Sequence, residues 1–178
     1  MTLVQIEPVN RSDRADLVAA NLRSRAHHLP WVEPFTDPRG FDEWFGEIDG
    51  VTRVSLIARH TERRAVVGVF NLSQIFRKGF QNAYLGFYGN AEFAGQGFMT
   101  EALRLTVSFA FSELQLHRLE ANIQPENTRS IALVRRVGFR KEGFSPRYLR
   151  IGGQWRDHER WALLADGTPR PPRGDGGS

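Results

Sequence analysis

The chain has 178 residues, 40% hydrophobic and 25% charged, with a formal net charge of +4 and no cysteine. Such values describe one ordinary globular domain. They exclude disulfides, thiolate metal sites and a cysteine nucleophile, and a charge this mild names no partner by itself. No apolar stretch approaches the roughly 18 residues of a membrane span. Met1–Gln5 also lacks the basic-then-apolar layout of a secretion signal, so the expectation is a cytoplasmic protein without a membrane partner.

In chain order, the first predicted helix is Asp13–Ser24, with Ser12 as its cap and Leu17, Val18 and Leu22 on one face. The loop Leu29-Pro30-Trp31-Val32-Glu33-Pro34 cannot continue a helix, because each proline pushes its predecessor out of helical geometry. The next helix follows Thr36 or Asp37, with Pro38 tolerated in the first turn, and Phe41, Trp44, Phe45 and Ile48 recur at helical spacing. Two β-rich runs, Val54–His60 and Ala65–Leu72, flank the short link Thr61–Arg64 and predict an antiparallel hairpin. A third strand, Ala83–Tyr88, leads through a glycine-bearing loop into a strong helix, Thr100–Leu116, striped by Leu103, Val107, Ala110, Phe111 and Leu114.

Leu119, Ala121 and Ile123 then alternate with polar residues, the mark of a half-buried strand. A short helix, Asn127–Val137, ends at Gly138, the residue type suited to a left-handed C-terminus. Phe139–Gly143 and Tyr148–Leu164 read as strands, the second turning at Gly152-Gly153. Asp166–Ser178 is rich in Gly, Pro and Arg with no apolar period, so it reads as a disordered tail and leaves residues 1–165 as the domain. Hairpins plus one strand–helix–strand unit place the chain in the α/β (α+β) class as a single domain.

The informative stretch is Tyr84-Leu85-Gly86-Phe87-Tyr88, followed by Ala94-Gly95-Gln96-Gly97-Phe98-Met99-Thr100-Glu101-Ala102. A strand running through a glycine turn into a helix presents unpaired N–H groups at the helix N-terminus, which favours an anion, ideally a pyrophosphate. Glycine lets backbone approach phosphate oxygens with no side chain in the way. On its own, Gly-x-Gly fits plain turn chemistry equally well. It has neither the third glycine of a dinucleotide fingerprint nor the Gly-Lys-Ser/Thr of a P-loop.

A second constellation is Gln124-Pro125-Glu126-Asn127-Thr128-Arg129-Ser130-Ile131-Ala132-Leu133-Val134-Arg135-Arg136-Val137-Gly138-Phe139. The loop Ala94–Thr100 resembles the acetyl-CoA pyrophosphate loop of the GNAT superfamily of N-acetyltransferases, and Asn127…Gly138-Phe139 resembles their second cofactor segment. More closely, the chain is similar to the RimJ/RimL branch, the ribosomal-protein-alanine N-acetyltransferases. The matching pieces are Leu29-Pro30-Trp31, Tyr84-Leu85-Gly86, Gly95-Gln96-Gly97, Glu101-Ala102-Leu103, His117-Arg118 and Gly153-Gln154-Trp155-Arg156-Asp157-His158.

The resemblance implies a GNAT-type domain with a twisted, mixed and mostly antiparallel sheet flanked by helices. It implies acetyl-CoA as co-substrate and no metal. Backbone groups of Phe87 and Tyr88 would pair with the pantetheine arm like an added strand, and Gly95, Gln96, Gly97, Phe98, Met99 and Thr100 would cradle the pyrophosphate. Asn127 would hold pantetheine, a role compatible with its plain reading as a helix cap. Arg135 and Arg136 would steer the nucleotide phosphates, although helix arginines are commonly just solvated.

Acetyl transfer to an amine needs a neutral amine, a polarised thioester carbonyl and a stabilised leaving thiolate. Where many relatives carry a tyrosine acid, this chain has Val134; the RimL-like alternative is Ser130, whose plain reading is a hydroxyl satisfied inside the first helical turn. Where many relatives keep a glutamate base, this chain has Asn122, so the role passes to water or to Glu120, two residues earlier on the same strand face. Tyr148 and His158 are further candidates for binding the acceptor. Trp31 and Trp155 are candidates for lining its groove, although core packing accounts for a tryptophan equally well.

The resemblance therefore points to acetylation of a protein N-terminal α-amine, with contact to a ribosomal protein or ribosome. A small-molecule amine and a non-catalytic acyl-CoA-binding module stand as alternatives, and a homodimer is one assembly it allows.

Overall fold

The computed structural model describes residues 2–166, so all of the expected tail except Asp166 lies outside the described residues. An unforeseen edge strand opens the fold: β1 (Val4–Pro8) pairs antiparallel with β2 (Val54–His60). Glu101 ties it down by accepting from the Leu3 N–H at 3.0 Å. A single 3-10 turn follows, capped by Asn10 rather than Ser12. The Asn10 carboxamide accepts from the Ser12 N–H, and Asp13 accepts from the Asn10 N–H in return. Helix α1 (Arg14–Arg23) then buries Leu17, Ala20 and Asn21, while Leu22 turns out to solvent.

A short α2 (Arg25–His28) precedes the proline loop. The next helix, α3 (Pro38–Gly46), is capped by Asp37, whose carboxylate accepts from the Gly40 N–H at 2.7 Å. The long hairpin β2–β3 (β3, Val66–Phe76) continues into β4 (Asn82–Gly89). Helix α4 (Phe98–Ser112) starts two residues before the expected Thr100, because Gly97 adopts φ +86° and begins the helix from the left-handed region. Then come β5 (Arg118–Ile123), α5 (Thr128–Val137), β6 (Arg140–Ile151) and β7 (Gln154–Leu164). Strand β6 joins the two predicted pieces into one, with a break in register between Ser145 and Leu149 at Pro146 and Arg147. Proline is tolerated there because β6 is the sheet's edge.

The seven strands lie in the order β1-β2-β3-β4-β5-β7-β6, all antiparallel except β4 and β5. One face carries the larger core, in which Phe70, Leu72, Leu85 and Leu119 of the sheet pack against Leu103 of α4 and Val134 of α5. The other face packs Ile57, Val66 and Val69 against Leu17 of α1 and Phe41 of α3. Full burial of each such side chain is worth about 1.5–3 kcal/mol. Among the described residues, no helix is long and apolar enough to cross a membrane.

Candidate active site

The site begins where the sheet comes apart. β4 and β5 pair in parallel over three positions, Asn82↔Arg118, Ala83↔Leu119 and Tyr84↔Glu120, and then diverge. Beyond Tyr84 the other edge of β4 stays zipped to β3, from Leu85↔Leu72 to Gly89↔Gly68. The β4 edge from Leu85 to Gly89 therefore faces an open gap without a partner strand. Backbone groups at such an edge pair readily with an extended ligand. Phe87 packs into the α4/α5 core, whereas Tyr88 packs on the α1/α3 side. By strand alternation Tyr84 and Gly86 share the Tyr88 face. His28 buttresses the end of this strand, its Nε2–H donating to the Gly89 carbonyl at 2.9 Å and its ring meeting Tyr88 edge-on. Burial pushes the His28 imidazole below its usual value and the Tyr88 phenol above its own.

At the far end of the gap lies the start of α4. Gly95 and Gly97 both have left-handed backbones, and no side chain caps the helix. Thr100 and Glu101 turn their N–H groups back to the Gly97 carbonyl, while those of Gly97, Phe98 and Met99 find no acceptor among the described residues. These are the donors that bind an anion at a helix N-terminus. The loop is held in place by the Met99 side chain. It fills the space where a Cβ on Gly68 would come within 2.6 Å of its sulfur and one on Gly89 within 3.0 Å. Met99 thus offers the site only its backbone. Arg136 reaches from α5 to the first turn of α4, its guanidinium donating to the Thr100 hydroxyl at 3.2 Å, and adds positive charge there.

On the α5 side of the gap, Asn127 caps its helix by accepting from the Ser130 N–H at 3.3 Å, which leaves the amide nitrogen of Asn127 available. The Ser130 hydroxyl is half-buried and has no partner among the described residues. On β5, Arg118, Glu120 and Asn122 form the half-buried polar face opposite the buried Leu119, Ala121 and Ile123. Glu120 is engaged by Arg118 at 2.8 Å, and Arg118 also holds Glu142. Hydrogen bonding to Glu142 first, and to Glu120 next, raises the Arg118 pKa above its ordinary value. The Asn122 carbonyl oxygen is buried without a partner among the described residues, and so is Nε of Arg160, the register partner of Asn122 on β7.

A cleft of about 350 Å³ opens on the Tyr88 face of β4. Its walls are Val32–Phe35 from the proline loop, Trp44, Arg53, Asn71, and Gly86–Tyr88. Trp31 and Trp155 are not among these residues, and Trp155 stands 62% exposed where β6 turns into β7. Tyr148 and His158 are brought together, with ring centroids 6.2 Å apart. Sequence reasoning missed the cleft walls Phe35, Trp44, Arg53, Asn71 and Gly86. They are far apart in the chain, and only the alternation Tyr84/Gly86/Tyr88 hinted which face they would share.

Residues 4–140 match the family described as Acetyltransferase (GNAT) domain. The chain belongs to the GNAT acetyltransferase family. It is 40% identical over 109 residues to the [ribosomal protein uS5]-alanine N-acetyltransferase of Escherichia coli (strain K12), an alignment covering 61% of this chain and 56% of that one. The aligned stretch spans little more than half the length of the curated relatives it matches. Among solved structures it is similar to the Mycobacterium smegmatis RimJ in complex with CoA-disulfide, with 28% identity and a TM-score of 0.84 over 94% of this chain and 84% of that one. It is also similar to the ribosomal-protein-S5-alanine acetyltransferase of Vibrio fischeri, with 25% identity and a TM-score of 0.83 over 95% and 97% of the two chains.

Proposed function

We propose that this GNAT chain transfers acetyl from acetyl-CoA to a primary amine by direct attack on the thioester, and that the acceptor is the α-amine at a protein N-terminus. The observation that carries the reading is the gap opening after Tyr84 and Glu120. One end of it holds the uncapped N-terminus of α4, and its β4 edge forms one wall of the aromatic cleft. The pantetheine arm pairs with the Phe87 and Tyr88 backbone as an added strand, and the Asn127 amide holds it from the other side. Within the Gly95–Thr100 loop the pyrophosphate rests on the free N–H groups of Gly97, Phe98 and Met99, the Gln96 side chain being held on the Glu92 carbonyl, and Arg136 balances its charge.

The amine enters from the cleft, its lone pair forms the C–N bond, and the C–S bond breaks. Ser130 donates to the departing sulfur. The cleft suits a peptide terminus better than a polycation. Its walls hold Phe35, Trp44, Phe87 and Tyr88 with one Glu33 and one Arg53, not the carboxylate cluster a polyamine would need. The uS5-alanine N-acetyltransferase among its relatives points the same way.

The α-amine also suits the available chemistry. Its reference pKa is about 7.7–8.0, against about 10.4 for lysine, so near neutral pH a useful fraction of it is already neutral without a strong base while lysine is almost wholly protonated. The test is tandem mass spectrometry of peptides carrying both a small free N-terminal residue and internal lysines. The α-amine should be modified and the lysines left alone, at a rate that rises with pH through the α-amine pKa. Predominant lysine modification would sink the α-amine assignment, and modification of polyamines or aminoglycosides without peptides would replace it by a small-molecule acceptor.

A further inference from the structure

Gly86 is a glycine that the described fold does not require. It lies inside β4, and its backbone is outside the left-handed region. A Cβ built on it would meet no atom of the described residues within 4 Å. Gly68 and Gly89 differ, because the Met99 side chain occupies the space beside each of them. The open side of Gly86 lines the cleft. A strand glycine weakens its strand and often marks a place where a ligand or another backbone comes close.

Register puts Gly86 at the end of a row across three strands. Ser55 on β2 stands opposite Asn71 on β3, and Asn71 stands opposite Gly86. Directly opposed residues share a face, so all three look toward α1 and α3, as Ile57, Val69 and Tyr88 do two positions along. The Ser55 hydroxyl is 1% exposed, and its acceptor is Oδ1 of Asn71 at 2.7 Å. A hydroxyl has a single hydrogen to give. Giving it to Oδ1 fixes the amide with its nitrogen as the free end. That NH2 donates to nothing among the described residues, and Asn71 lines the cleft beside Gly86. Arg53, which also lines the cleft, is already paired with Glu47. The row therefore offers a neutral donor, which suits an amide oxygen.

We infer that Asn71 and Gly86 read the first residue of the acceptor peptide: its backbone lies over Gly86, and its carbonyl oxygen accepts from the Asn71 NH2. This rests on the α-amine reading above and supplies its selectivity. Neighbouring strands lie about 4.8 Å apart, so an arm paired to the β4 edge stands about 10 Å from β3. One residue spans about 3.5 Å, a hydrogen bond about 2.9 Å, and an attacking amine stands about 3–3.5 Å from its target. Laid end to end, these cover the distance from the thioester to Asn71. A lysine ε-amine or a polyamine nitrogen carries only methylenes there and leaves the Asn71 donor unpaired, which a site built to hydrogen-bond disfavours.

The experiment crosses a change in the protein with a change in the ligand. An alanine-initiated peptide is compared with its E-alkene isostere, whose first peptide bond keeps its shape and loses its oxygen. Both are assayed with wild type, Asn71→Asp and Asn71→Leu. The Asp variant keeps an oxygen for Ser55 and lacks only the donor, and thermal melts check that each variant is folded. The isostere's amine is more basic, but that difference is common to all three proteins and cancels. The amide-over-alkene ratio of kcat/KM should fall about 2- to 13-fold in each variant, the net worth of one neutral hydrogen bond. Gly86→Val should lower kcat/KM for the alanine peptide about tenfold or more by filling the space, with the calorimetric Kd for acetyl-CoA unchanged. An unchanged ratio in folded variants that still acetylate the peptide would overturn the Asn71 contact. Full peptide activity in a folded Gly86→Val protein would overturn the position over Gly86. The α-amine reading survives both results. A wild type that acetylates polyamines and no peptide would end that reading and this one together.

Discussion

Replacing Gly97 separates the two things this residue does for the loop. Its φ of +86° lies where L side chains cost about 1–2 kcal/mol. A Cβ built there meets nothing within 4 Å, so no protein atom is displaced. Gly97→Ala should therefore express backbone strain alone. In a chain of this size about 1 kcal/mol moves Tm by about 2–4 °C, so a drop of about 2–8 °C follows. Gly97→Glu carries the same strain and adds a carboxylate beside the bound pyrophosphate. Two unit charges ~6 Å apart in water repel by about 0.7 kcal/mol. The two charges of the pyrophosphate together cost about 1.4 kcal/mol, a further tenfold in Kd. Calorimetric titration with acetyl-CoA at low and high salt checks this, because only the charge part is screened. Both variants should melt alike, and the Glu variant should bind at least tenfold more weakly than the Ala variant at low salt, with the difference shrinking as salt rises. A folded Gly97→Glu protein that binds as tightly as Gly97→Ala would refute the placement of the pyrophosphate.

Ser130→Ala should lower kcat by about 10²-fold or more with little change in KM, since a donor to the leaving sulfur acts in the transition state; steady-state kinetics with chemistry rate-limiting checks it. Asp13→Ala should cost about 3 kcal/mol in urea denaturation, because it strips the closest carboxylate, at 2.7 Å, from the buried Arg59 guanidinium. The effect sits at the low end for a broken buried pair because Asp16 and Glu7 remain in reach. Glu142 has a carboxyl held below its ordinary 4.5 by hydrogen bonding to Arg118. A depressed folded pKa contributes stability that is present above the unfolded value and lost as pH falls through the folded one. Glu142→Gln should thus flatten the acid side of a stability–pH curve below about pH 5, and an unchanged slope would remove Glu142 from that titration.

The sequence by itself determined most of the elements and the glycine-started opening of α4, because both are written in local chemistry. Val54–His60 was legible to the residue from its β-rich run, and Asn127 and Gly138 marked both ends of α5. The glycines before α4 specify an uncapped helix start without reference to anything distant, although the left-handed turn at Gly97 moved that start from Thr100 to Phe98. Strand β1 escaped notice because five residues at an edge become a strand only by pairing with β2. The joined β6 escaped because Pro146 interrupts the pattern that the edge position tolerates.

The cleft side of the gap was decided by tertiary structure alone. Which polar strand residues meet there depends on strand order and register, which join Tyr84 to Glu120 across 36 residues of chain. Glu120 looked free in sequence, yet the fold hands it to Arg118. Trp155 read as a candidate groove wall, and the fold leaves it 62% exposed at the β6–β7 turn, outside the lining of the cleft. Cap and turn energies depend on neighbours a few residues away, so one dimension encodes them. A cleft depends on which surfaces remain after the core has packed, and that exists only in three dimensions.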